Sequence, residues 1–165
     1  MSYDHAGSVQ KEEYVFNDTT FGATTVTHNM IGPKGCTGFV RDIMVDVATS
    51  LVGTTTVPEI DVGTSSADST YGRYRLGTTA ILGYATGIHR ASQEAITGNP
   101  PRNLQDFAHH VELDGYPLDA NFRAWGGRIP KDTNFVITDL AGTGGTPAGG
   151  GLVKVLIDWH GISFQ

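Results

Sequence analysis

The alternation of apolar and polar residues near the C-terminal end constrains the fold of this chain more than any other feature. Four large apolar residues occupy every second position there: Val153, Val155, Ile157 and Trp159. The residues that alternate with them form a second set: Leu152, Lys154, Leu156, Asp158 and His160. Successive side chains of a β-strand point to opposite faces, so the pattern predicts a strand with one buried face. Burial of each large apolar side chain contributes roughly 1.5–3 kcal/mol, which makes this strand a main core element.

The segment from Phe39 to Ala48 carries the second clear alternation. One set of positions is nearly all apolar and predicts the core face: Phe39, Arg41, Ile43, Val45 and Val47. The other set predicts the opposite face, turned to solvent or to a partner: Val40, Asp42, Met44, Asp46 and Ala48. The pattern therefore predicts a second long strand with the same two-sided character.

Shorter strand patterns are spaced along the rest of the chain. They comprise residues 14–16, 23–31, 57–62, 71–76, 80–88, 107–113 and 135–140. We expect the strand over residues 135–140 to form a hairpin with the C-terminal strand, through a wide loop over residues 141–151. Residues 89–98 carry the only helical pattern, and Asn99-Pro100-Pro101 ends regular structure after it.

This spacing predicts an all-β fold, a jelly-roll-like β-sandwich of about eight strands with minimal helix. Composition agrees with many short strands joined by turns, because the chain has 22 glycines and 20 threonines. Threonine suits the half-solvated face of a strand, and glycine supplies the backbone conformations of tight turns. Residues 1–12 are polar and predict an extended N-terminal arm, followed by a single β-sandwich domain over residues 13–165.

Charge and targeting signals argue against several classes of partner. The net charge is −6 and the basic residues are scattered, so we expect no nucleic-acid partner. No stretch approaches the roughly 20 apolar residues that span a bilayer, and no signal peptide follows Met1, so we expect synthesis in a cytoplasm and no membrane partner. Cys36 is the only cysteine and is expected to be a buried small apolar residue.

The sequence carries no motif for catalysis or for cofactor binding. The glycine-rich stretch over residues 142–151 precedes a strand instead of a helix, and it lacks the Lys-Ser/Thr pair of a nucleotide-binding loop. No serine lies in a Gly-x-Ser-x-Gly turn. Asp42 and Asp46 are interpreted as surface acids of one strand face rather than as a glycosidase pair. Trp159 is expected in the core, which leaves Trp125 as the more exposed candidate for a sugar platform.

The six histidines do not form a metal-binding motif. They are spread along the chain: His5, His28, His89, His109, His110 and His160. The adjacent residues His109 and His110 would point to opposite faces of a strand, and Glu112 could join His110 on one of them. No His-x-His motif occurs, and no two histidines have the spacing of one helix face. We therefore predict no catalytic residue, no metal site and no cofactor.

Five segments carry a resemblance to a known class of protein. They are the loop Trp125-Gly-Gly-Arg-Ile-Pro-Lys-Asp-Thr133, the strand over residues 135–138, the loop over residues 141–149, the closing strand over residues 153–159 and the strand over residues 41–48. Together these segments resemble small virion proteins of tailed bacteriophages that decorate or cement the capsid. The resemblance covers about half of the chain, and its motifs carry no catalytic signature.

The resemblance implies a non-enzymatic β-sandwich protein located on the capsid surface of a virion. Such a protein would bind the major capsid protein on the outer lattice, stabilise the shell and form a homo-oligomer, a trimer. We expect residues 1–20 and one end of the sandwich to contact the shell, and strand faces to be buried against sister subunits. Two alternatives stay open: another virion component (a jelly-roll coat subunit, or a tail or receptor-binding protein), and a cupin-like metalloenzyme or lectin.

Overall fold

The described residues form an all-β sandwich of eight strands in two four-stranded sheets. The computed structural model describes residues 9–76, 85–91 and 128–161, and no helix occurs within these ranges. The strands are β1 (Val9–Asp18), β2 (Val26–Ile31), β3 (Cys36–Val52), β4 (Glu59–Gly63), β5 (Gly72–Arg75), β6 (Gly87–Arg90), β7 (Asn134–Leu140) and β8 (Ala148–Gly161).

The strand order is that of a jelly roll. Sheet I has the order β1-β8-β3-β6, and sheet II has the order β2-β7-β4-β5. The antiparallel pairs β1·β8, β2·β7, β3·β6 and β4·β5 are those of one long hairpin that is folded over on itself. The further antiparallel pairs β3·β8 and β4·β7 complete the two sheets. This arrangement confirms the predicted jelly-roll-like sandwich.

The predicted hairpin between the last two strands is wrong. β7 belongs to sheet II and β8 belongs to sheet I, so residues 141–147 cross from one sheet to the other. Each of the two strands lies close to its predicted position. Alternation within a strand shows which face is buried, but it does not state which strand lies beside it.

β8 lies at the centre of the hydrophobic core, as predicted. Val153, Val155 and Ile157 are fully buried, and Trp159 is almost fully buried. Sheet II supplies the opposing layer of buried side chains: Ile60, Val62, Tyr74, Phe135 and Ile137. The two sheets therefore enclose one continuous core of the kind that a sandwich requires.

The predicted core face of β3 is correct only beyond residue 42. Ile43, Val45 and Val47 are buried there, but Phe39 is partly exposed and Arg41 is exposed. The pairing register between β3 and β8 shifts between Val40 and Asp42, so Arg41 is the extra residue of a β-bulge. The bulge reverses the alternation, and Val40 is the residue buried in the core before it.

Other expectations are changed or lie outside the described residues. β1 begins at Val9, so residues 9–12 belong to sheet I instead of the predicted arm. His89 and Arg90 lie in β6, so the helical prediction is wrong at that point. Residues 1–8 and 92–127, with the strand predicted over residues 107–113, lie outside the described residues. Cys36 begins β3 and is partly buried. A separate expectation concerned membranes: within the described ranges, no helix is long and apolar enough to cross one.

Candidate functional site

The outer face of sheet I carries apolar side chains that the sandwich core does not use. We call five of them the outer apolar set: Val15, Met44, Ile88, Leu152 and Leu156. Two of them lie on the edge strands and are well exposed, with 48% of Val15 and 66% of Ile88 accessible to solvent. The other three are partly buried on the two central strands. Every strand of sheet I therefore contributes to this face.

The strand register interleaves the outer apolar set with charged residues. Lys154 lies between Val15 on β1 and Met44 on β3, in one row across the sheet. In the next row, Asp46 lies between Leu152 on β8 and Ile88 on β6. Diagonal neighbours on one sheet face are within reach of long side chains, so apolar and charged residues alternate in a checkerboard. The face therefore offers apolar contacts across its whole width.

Four charged residues of this face form two ion pairs. The Lys154 ammonium lies 2.7 Å from a Glu13 carboxylate oxygen, and Arg41 lies 3.6 Å from Asp158. The Arg90 guanidinium donates to the sulfur of Met44 at 3.3 Å. An unpaired charge is costly to bury, whereas a paired charge is less so. This face can therefore be covered by another protein without leaving these charges alone.

A single exposed apolar residue on the other sheet provides a contrast. Ile31 on β2 is 72% exposed and lies on the outer side of sheet II. Its cross-strand partner Asn134 and its neighbour Asn29 are both exposed and polar. Isolated apolar residues of this kind are normal on protein surfaces. The clustering on sheet I is what distinguishes its outer face.

A second feature is a cluster of three titratable side chains at the edge of the sandwich. Asp18 ends β1 in sheet I, whereas His28 on β2 and Asp139 on β7 come from sheet II. His28 Nε2 lies 2.7 Å from Asp18 Oδ2 and 4.0 Å from Asp139 Oδ2. One nitrogen or oxygen from each residue lies within 4.8 Å of the other two. The cluster therefore joins the two sheets.

Asp139 is the unusual member of this cluster. Its side chain is fully buried, and neither carboxylate oxygen has a hydrogen-bond donor. Burial raises the pKa of Asp139 well above its ordinary value, and the neighbouring Asp18 carboxylate raises it further. A buried carboxylate requires a proton or a positive charge beside it. The cluster thus contains a group whose negative charge needs compensation.

His28 is held in position by an aromatic ring. Phe16 stacks on its imidazole with ring centroids 3.7 Å apart and an angle of 13° between the planes. The side chains of Asp18 and His28 are 15% and 19% exposed, so the cluster is open to solvent at the edge between β1 and β2. The hydrogen-bond partner that the described residues give His28 is the carboxylate of Asp18.

The sequence patterns did not predict this cluster. Its members lie on three different strands, and the sequence does not show which strands become neighbours. One signal was present: His28 and Asp139 are polar residues at core-facing positions of β2 and β7. Asp42 and Asp46 lie on the outer face of sheet I, as predicted, with Asp42 largely buried.

The remaining candidate residues of the sequence stand apart from this cluster. His160 is exposed at the end of β8, where it meets Phe39 edge-to-face, and His89 lies in β6. His5, His109, His110, Glu112 and Trp125 lie outside the described residues. No family model matches this sequence, and no curated protein matches it.

Proposed function

We propose that this protein is a virion structural protein, a decoration or cement protein that binds the outer capsid lattice and stabilises it as a trimer. The observation that carries the proposal is the outer apolar set on sheet I, where five apolar side chains lie among charged residues on a face that the described strands do not cover. The resemblance of the segments over residues 41–48 and 125–159 to phage decoration proteins supports the same function.

A rigid sandwich of this kind can stabilise a shell without any catalysis. A protein that binds only the assembled lattice shifts the equilibrium towards assembly by mass action. At a protein concentration about a hundredfold above Kd, binding stabilises the assembled lattice by about 2.7 kcal/mol of free energy per site. A trimer that contacts several lattice positions at once gains further through avidity. The function therefore requires exposed faces of defined shape and no reactive cleft.

The outer face of sheet I is suited to contact a sister subunit. Neighbouring strands lie about 4.8 Å apart, and each residue lengthens a strand by about 3.3 Å. The four strands therefore give this face an area on the order of 500–800 Å². A standard protein interface buries about 800 Å² on each partner, so the face approaches the required size. A trimer closes through a head-to-tail contact, in which this face meets a different surface of the next subunit.

The fold alone does not decide between this function and its alternatives. Jelly rolls also occur in viral coat subunits, lectins and cupins, so the choice depends on particular surfaces. A receptor-binding protein is expected to present aromatic residues in its end loops. The described loops over residues 53–56 and 142–146 instead consist of glycine and threonine, and they bond to each other through Thr55 and Thr143. This favours a decoration protein over a receptor-binding protein.

The mass of the purified protein in solution tests the self-association. We expect a trimer for the wild-type chain and dissociation to a monomer for Ile88→Asp, because a carboxylate at this position would be buried in the interface without a partner. Ile31→Asp is the matched control, since Ile31 is equally exposed but isolated on sheet II. Light scattering coupled to size-exclusion chromatography measures all three masses.

Three results would contradict this proposal. A monomeric wild-type protein would exclude the trimer, and shell-sized particles from the chain alone would identify a coat subunit. Equal trimer formation by Ile88→Asp and wild type would show that the outer apolar set is not the contact between subunits.

A further inference from the structure

We propose that Asp18, His28 and Asp139 form a binding site for one divalent transition-metal ion of the Zn²⁺ class. The site goes beyond the structural function proposed above and does not depend on it. It would join β1 of sheet I to β2 and β7 of sheet II through a single ion.

The donor set selects the class of ion. It offers one imidazole nitrogen and two carboxylate oxygens. Imidazole suits Zn²⁺ and related transition metals, whereas Mg²⁺ and Ca²⁺ prefer sites made of oxygen alone. Three protein ligands with one position left for water form a common zinc arrangement. The exposed edge beside Asp18 and His28 leaves room for that water and for entry of the ion.

The donor atoms lie near the separations that one shared ion requires, although His28 Nε2 and Asp18 Oδ2 are only 2.7 Å apart, in hydrogen-bond contact, and would have to separate. Zinc lies about 2.0–2.2 Å from nitrogen and oxygen ligands, so two ligands of one ion are at most about 4.4 Å apart. His28 Nε2 and Asp139 Oδ2 are 4.0 Å apart, and all three donor atoms lie within 4.8 Å of one another. Asp18 is partly exposed at the end of its strand, so a small side-chain rotation can complete the geometry.

The buried carboxylate gives an independent reason for a cation. Asp139 is fully buried and aimed into the cluster, and neither of its oxygens has a hydrogen-bond donor. A divalent ion would balance the two carboxylates of Asp18 and Asp139 and leave the site neutral. Phe16 holds the His28 ring by stacking, as a preorganised ligand requires.

The competing explanation is a cluster held by protons alone. In that case the hydrogen bond between His28 and Asp18 and a proton on the Asp139 carboxyl satisfy the three side chains without an ion. Such a cluster has no specific affinity for a transition metal. Titration of the protein with Zn²⁺ therefore separates the two explanations.

The experiment is calorimetric titration of the purified full chain, first treated with chelator, with Zn²⁺ alone. We expect one equivalent to bind the wild-type chain, and we expect binding at least about tenfold weaker in Asp18→Asn and in Asp139→Asn. His160→Gln is the control, because His160 is exposed and distant in sequence from the cluster. Mg²⁺ at the same concentration should not compete.

Thermal unfolding provides the second readout. Zn²⁺ should raise the melting temperature of the wild-type chain and of His160→Gln, but not that of Asp18→Asn. Asp18 is partly exposed, so this variant remains testable if Asp139→Asn fails to fold. The proposal is overturned if the wild-type chain binds no Zn²⁺, or if Asp18→Asn binds it as tightly as the wild type does.

Discussion

Trp159 is the largest side chain of the core, and two glycines make its position possible. A Cβ atom on Gly38 would lie 2.6 Å from the indole ring, and one on Gly32 would collide with the ring even more closely. Real Cβ atoms do not approach other atoms at such distances. The alternation of β8 predicted that Trp159 is buried, but it gave no indication that two distant glycines provide the space.

The variant Gly38→Ala tests this packing. We expect its free energy of unfolding to fall by roughly 1–3 kcal/mol, because the added methyl group forces the indole or the strand to move. Combining Gly38→Ala with Trp159→Leu should cost less than the sum of the single variants, since the smaller side chain removes the collision. Urea unfolding measures these values, with Thr37→Ala as the neighbouring control. A Gly38→Ala protein as stable as the wild type would contradict this account of the core.

The β4–β5 hairpin contains a charged pair that the strand pattern did not predict. Asp61 lies opposite Arg73 in the register, and its carboxylate is fully buried. Arg73 donates from Nε and from Nη2 to the two carboxylate oxygens, at 2.8 and 2.9 Å. Such a bidentate pair fixes the register of the two strands as well as neutralising the buried charge.

Asp61→Asn should lower the free energy of unfolding by roughly 2–4 kcal/mol, because it breaks the bidentate ion pair and leaves Arg73 with the longer contact of 3.4 Å to Glu59. The cost stays below that of a fully buried pair, since 24% of the Arg73 side chain is exposed. Asp132→Asn is the control: Asp132 is exposed and accepts a hydrogen bond from the Gly35 amide, which asparagine preserves. If both variants unfold at the same urea concentration, the pair does not stabilise the hairpin.

At the scale of strands, the sequence predicts which face of a strand is buried better than it predicts which strand lies beside it. The alternation over residues 152–160 identified the buried face of β8 because no irregularity interrupts it. The same reasoning was wrong at Phe39 and Arg41, since one extra residue in β3 reverses the alternation without leaving a mark in the pattern. The cluster of Asp18, His28 and Asp139 depends on pairing between distant strands, so spacing along the chain could not reveal it.

The described part of the molecule combines a closed core with an outer sheet face that its own strands leave exposed. The jelly-roll order buries one side of each sheet against the other and leaves the second side of sheet I with its outer apolar set. A core of this kind gives a stiff body, and the uncovered face gives it a place to bind. The proposed role as a capsid decoration protein follows from this division, together with the resemblance of its segments to phage virion proteins.

Cryo-electron microscopy of the virions to which the proposed function assigns this protein would show directly whether it decorates a capsid. We expect density for the two-sheet sandwich on the outside of the capsid, grouped around threefold axes, with the outer apolar set of sheet I covered by a sister subunit. Particles that lack this density, or that carry it only inside the shell, would contradict the proposed function.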